Sequence, residues 1–158
     1  MTIPFVDLKA QYNSIKEEMD TAIHAVIDNT AFVAGHYASL FEQQFADFIG
    51  VKHCIGCANG TDSLEMLLKA MGVGPGDEVI VPAISWISTS EVVSTVGATP
   101  VFVDVHPQYY TIDIDKIEEK ITSKTKAIIP VHLYGQPVDM PRLMQLARKH
   151  HLKVLEDC

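Results

Sequence analysis

Three short stretches hold residue types that could share one piece of chemistry. In "CANGTDSLEML" the chain turns at Asn59-Gly60 and a helix opens at about Thr61. Gly60 lets the backbone approach a ligand with no Cβ in the way. The free N–H groups of Thr61, Asp62 and Ser63 at a helix start, with the Thr61 hydroxyl, would hold a phosphate. The plain alternative is that Thr61 or Asp62 only caps the helix. In "VPAISWISTSE" the chain's single tryptophan, Trp86, follows a strand end within four residues. Its indole could form a flat wall for a heteroaromatic ring, or simply pack beneath the loop. In "KVLEDC" a strand delivers Glu156 and Asp157 to its end, facing opposite ways, so that only one addresses the edge. Asp157, the later of the two, is the better placed, and its alternative is a cap or loop carboxylate.

An anion cradle, an aromatic wall and a carboxylate at one sheet edge together describe a site for pyridoxal 5′-phosphate (PLP). That coenzyme needs its phosphate anchored, its ring stacked and its pyridine nitrogen kept protonated. An aspartate against the nitrogen favours the pyridinium and keeps the ring a good electron sink.

The elements that must position these residues are legible as a rhythm. Apolar runs at "HCIGCA", "EVIVP", "TPVFVDV", "AIIPVHLY" and "KVLED" read as strands, among them 54–58, 78–82 and 153–157. "TDSLEMLLKAMG", "WISTSEVVSTVG", "DIDKIEEKI" and "DMPRLMQLARKH" carry helical spacing. The strands start roughly 21 to 28 residues apart, the repeat of successive βα units. Gly72 and Gly97 stand where helix C-caps belong. Ahead of them, Asp7 can cap a helix bearing Leu8, Tyr12, Ile15, Met19, Ile23 and Val26, and a second helix with Phe41, Phe45 and Phe48 ends at Gly50. The expected fold is α/β, a mostly parallel sheet with helices on both faces after two N-terminal helices. Such sheets bind ligands outside the carboxyl ends of their strands.

Composition narrows the partners. The 158 residues carry 12 basic against 20 acidic side chains, a formal net charge of −8. No basic stripe is available for nucleic acid or an anionic membrane. No stretch has the length of a membrane-spanning helix, and "MTIPFVDLKAQY" does not read as a signal peptide. Three cysteines fit a reducing cytoplasm. Cys54 and Cys57 form a CxxC on an expected strand rather than at a helix start, so a structural role is expected. The seven histidines show no metal-ligand spacing. "GCANGT" lacks the GxGxxG of a dinucleotide-binding oxidoreductase.

In register over nearly the whole chain, "IPFVDLKAQY", the run from "FVAGHYASLF" to "TPVFVDV", "PVHLYGQPVDM" and "VLEDC" resemble the DegT/DnrJ/StrS-type nucleotide-sugar aminotransferases. The resemblance implies the fold type I PLP-transferase large domain, truncated before its last strands. It implies a helical segment over 1–50 and the first part of the PLP-binding domain over 51–158, with the remainder and a C-terminal small domain absent. Phosphate contacts fall on Gly60, Thr61 and Asp62, the ring-stacking aromatic on Trp86, and the pyridine-nitrogen carboxylate, the catalytic residue, on Asp157. The lysine that holds the coenzyme covalently would lie beyond Cys158; Lys69 and Lys153 match nothing in its motif. The implied activity is transfer of an amino group, with glutamate as donor, to a keto group of a nucleotide-linked sugar. A homodimer with a shared site is also implied. Within the family the rival is a sugar dehydratase using PLP or its pyridoxamine form (PMP), and outside it a non-catalytic regulatory protein on the same scaffold. Tyr134 lines the substrate pocket or packs. The family's first strand, here 54–58, would lose its ladder neighbours with those later strands missing, so the 158 residues are not expected to fold alone.

Overall fold

The computed structural model describes residues 4–158. The chain divides after Gly56 into two compact units.

The first unit is helical. Helix α1 (Leu8–Ser14) begins where the Asp7 carboxylate accepts the Ala10 N–H at 2.9 Å, the expected cap. The long first helix is in fact two, because Ile15 leaves helical geometry at φ −125° and ψ 18° before α2 (Lys16–Asp28). No glycine or proline marks that break. Helix α3 (His36–Ile49) ends at Gly50, whose φ of +76° is the left-handed cap conformation.

The second unit alternates strands and helices: α4 (Gly60–Ala70), β1 (Glu78–Pro82), α5 (Ser88–Thr95), β2 (Thr99–Val103), β3 (Thr125–Ile128), α6 (Met140–Lys149) and β4 (Lys153–Val154). The strands form one parallel sheet in the order β2-β1-β3-β4. A parallel sheet is buried on both sides, and successive side chains of a strand point to opposite sides. Val79 and Val81 of β1 accordingly join Leu64, Leu68, Val92 and Val93 from α4 and α5. Ile80, between them, joins Leu143 and Ala147 of α6 on the other face. Ala127 and Ile129 repeat the first pattern and Ile128 the second. Helices therefore cover both faces, as the sequence predicts.

Three expected elements differ. The strand expected over 153–157 is only Lys153–Val154, with Asp157 joined to Val131 by an isolated bridge past its end. Residues 54–58 form no strand; they have no ladder partner among the described residues, and the Gly56 N–H donates to the Glu42 carboxylate instead. A run of apolar residues is a strand only where a neighbour accepts its ladder bonds. "DIDKIEEKI" is not an α-helix but two 3₁₀ turns, Ile114–Lys116 and Glu118–Lys120, the first capped by Asp113. Its Ile117 is fully buried under the sheet, so the segment is a packed crossover rather than a solvated helix.

The topology locates a crevice. The chain leaves β1 by way of α5 on one face towards β2, and leaves β3 by way of α6 on the other face towards β4. The strand order reverses between β1 and β3, and the loops after those two strands diverge there. Trp86 lies on the first loop.

Candidate coenzyme site

Asp157 is held from three sides. Its N–H donates to the Pro130 carbonyl at 3.0 Å, and its carbonyl accepts the His132 N–H at 2.9 Å, extending the β3–β4 ladder past both strands. Its Oδ2 accepts the Thr89 hydroxyl at 2.8 Å. Oδ1 has no hydrogen-bond partner among the described residues. Glu156 turns the other way, to His132 Nε2 at 3.0 Å, while His132 Nδ1 accepts the Val138 N–H. The opposite facing of the two acids is thus as the strand geometry dictates. Burial, and then the charges of Glu156 and Asp157, push the neighbouring Cys158 thiol up from its usual value.

At the other end, α4 starts one residue earlier than expected, and its cap is Asn59. The Asn59 side chain accepts the Asp62 N–H at 2.9 Å, and its carbonyl accepts the Ser63 N–H at 3.1 Å. The Asp62 and Ser63 N–H groups are therefore not free, contrary to the reading of the sequence. The N–H groups of Gly60 and Thr61 remain unpaired among the described residues. The Asp62 carboxylate accepts from the Asn59 amide. An ideal Cβ on Gly60 would meet no atom within 4 Å, and its φ lies outside the left-handed range. Neither packing nor backbone conformation requires a glycine there, and the open space leaves room for a close approach.

Between these ends lies the first turn of α5. Ser88 and Thr89, adjacent in sequence, are 8% and 1% exposed. The Ser88 hydroxyl meets that of Thr61 at 2.7 Å, and Thr89 meets Asp157. Ser85 meets Thr89 at 2.9 Å. One turn thus links the start of α4 to the end of the β4 segment. Trp86, just before it, is 77% exposed and is not packed beneath the loop. Its ring is available as a wall. Tyr134, at 95% exposed with φ +56°, packs against nothing either.

The hydroxyls of Ser85, Ser88 and Thr89 are the site residues that the sequence reading missed. The density of hydroxyls in "SWISTSE" was the available signal. The lysines considered above are engaged elsewhere: Lys69 pairs with Glu65, and Lys153 donates to the Met71 carbonyl. Cys54 and Cys57 are free thiols. No group of three or more possible metal ligands gathers among the described residues, and no described helix is long and apolar enough to cross a membrane.

A sequence profile of the DegT/DnrJ/EryC1/StrS aminotransferases matches residues 13–158. The chain belongs to that family. Its relatives within the DegT/DnrJ/EryC1/StrS group include a UDP-N-acetyl-3-dehydro-alpha-D-glucosamine 3-aminotransferase of Acidithiobacillus ferrooxidans, 51% identical over 99% of this chain and 42% of the relative. Among solved structures, DesV of S. venezuelae in complex with a ketimine intermediate superposes with a TM-score of 0.96 at 43% identity, covering 98% of this chain and 42% of that one. NtdA of Bacillus subtilis with bound cofactor PMP superposes at 0.94 and 39% identity, over 99% and 36%. This family member therefore spans about two-fifths of the length of the curated relatives it matches. Its α/β architecture is that of the corresponding part of these aminotransferases.

Proposed function

We propose that the full-length protein is a PLP-dependent aminotransferase that moves an amino group from an amino acid, glutamate, to a keto group of a nucleotide-linked sugar. The observation that carries this reading is the turn at Ser88 and Thr89. Two neighbouring residues bond to Thr61 on one side and Asp157 on the other, with the exposed Trp86 beside them. These bonds support the reading in which a phosphate end, a ring wall and a ring-nitrogen partner would share the switch point of the sheet.

The donor set fits the coenzyme. The Gly60 and Thr61 N–H groups, at the positive end of α4, would receive the phosphate, with Asp62 closing the turn through Asn59. Trp86 would carry the ring on its face. The free Oδ1 of Asp157 would accept the pyridinium N–H and hold that proton on the ring. When bound, the coenzyme supplies an electron sink for the bonds around the amino-bearing carbon. The covalent lysine and the dimeric assembly that completes the site belong to the same proposal, on the resemblance stated above, and the cytoplasmic setting belongs to it on the three cysteines.

The test uses the full-length protein. Titrated with PLP, it should gain visible absorbance that borohydride fixes covalently. With glutamate and a nucleotide-linked keto sugar it should yield the amino sugar, identified by mass. A protein that stays colourless and binds no coenzyme ends the reading.

A further inference from the structure

Asp157 can pair with a ring nitrogen only if its carboxylate is aimed, and a carboxylate's terminal torsion is broad and nearly two-fold. Backbone bonds fix where the Asp157 Cα sits but leave that torsion free. The only hydrogen bond to the carboxylate among the described residues comes from Thr89, which is 1% exposed and 68 residues away in sequence. An ionised carboxylate only accepts, so the single Thr89 hydroxyl proton goes to Oδ2. Thr89 must then accept in its 2.9 Å contact with Ser85, and Ser85 must donate. The direction of the relay is fixed: Ser85 to Thr89 to Asp157.

We propose that Thr89, oriented by Ser85, is a positioning residue that anchors Oδ2 and so presents Oδ1 of Asp157 to the nitrogen of the coenzyme ring. This rests on the coenzyme reading above, and deepens it by naming residues that act through Asp157 without touching the ligand. It also accounts for a buried hydroxyl at Thr89, on a helix start where packing alone would be served by valine. Charge-assisted bonds of this kind are strong and directional.

The experiment uses two probes on the full-length protein: 4′-deoxypyridoxine 5′-phosphate, which has the ring nitrogen but no aldehyde, and its analogue with C–H in place of that nitrogen. Affinities are read by calorimetry. Wild type should prefer the nitrogen-containing probe. Thr89→Val should bind that probe about tenfold more weakly and the other unchanged, as expected for losing a hydrogen bond to a charged group. Thr89→Ser should restore the preference. Ser85→Ala should shift it in the same direction by less, and it carries the comparison if Thr89→Val does not fold. Equal weakening of both probes would mean that Thr89 only packs, and no weakening of either would mean it has no role; each overturns the inference and leaves the coenzyme reading intact. A wild type that binds neither probe, or both equally, removes the Asp157 pairing and this inference with it.

Discussion

At the scale of single residues, Gly60 and Asp157 are where the proposed coenzyme site can be tested apart from folding. Gly60 meets no neighbour and has no left-handed φ. Gly60→Ala should leave stability unchanged or raise it by about 0.5 kcal/mol, since alanine loses less backbone freedom on folding. The same change should weaken PLP binding. Thermal denaturation and coenzyme titration of the full-length variant measure the two separately, and a destabilised variant of undiminished affinity would contradict the cradle. Asp157→Asn keeps the shape and the Thr89 contact but removes the charge facing the ring. Turnover should fall about ten- to a hundredfold, the worth of one charge-assisted bond, and unaltered turnover would take Asp157 out of the chemistry. Asp157, Trp86 and Gly60 could be picked out from the sequence because their types and their places after strands are local facts. Thr89 could not, since its partner lies on a strand end 68 residues on.

Secondary-structure elements were legible to the extent that their cause is local. Strands β1 and β2 coincide with the apolar runs EVIVP and TPVFV, and α4 to α6 with helical spacing, whereas β3 (TKAI) shares only its last two residues with the apolar run that begins at Ala127. The failures share one origin. Residues 54–58 have the composition of a strand but no ladder partner among the described residues. Ile114 and Ile117 stand three apart, a spacing that serves a 3₁₀ turn as well as an α-helix. That crossover is tied to α6 by Glu118, which accepts from Lys149 and from His150 at 2.8 Å. Lys149, and next His150, hold the Glu118 carboxyl below its ordinary value of 4.5. A depressed carboxyl contributes stability above its unfolded value and loses it as pH falls through the folded one. The gap in melting temperature between wild type and Glu118→Gln should be present near neutrality and close below about pH 4.5. A gap that stays constant down to pH 3 would leave these contacts without effect. Glu118 and Lys149 are exposed and His150 only half-buried, so the gap will be small.

For the whole chain, the contrast between the two units governs behaviour. The second has buried clusters on both faces of its sheet. In the first, Ala46 alone among the described residues is buried, and Phe41, Phe45 and Phe48 are 55%, 45% and 84% exposed. Apolar surface on that scale invites association. Expressed by itself, the 158-residue polypeptide should bind hydrophobic dyes and unfold without one cooperative transition; a sharp two-state melt at high stability would disprove this. Because consecutive residues 88 and 89 bond to opposite ends of the cleft, a single peptide link of about 3.8 Å acts as a ruler between them. Neither end can be adjusted without dragging the other. A coenzyme homologue lengthened by one methylene between ring and phosphate should therefore seat at one end and miss at the other, however flexible its own arm.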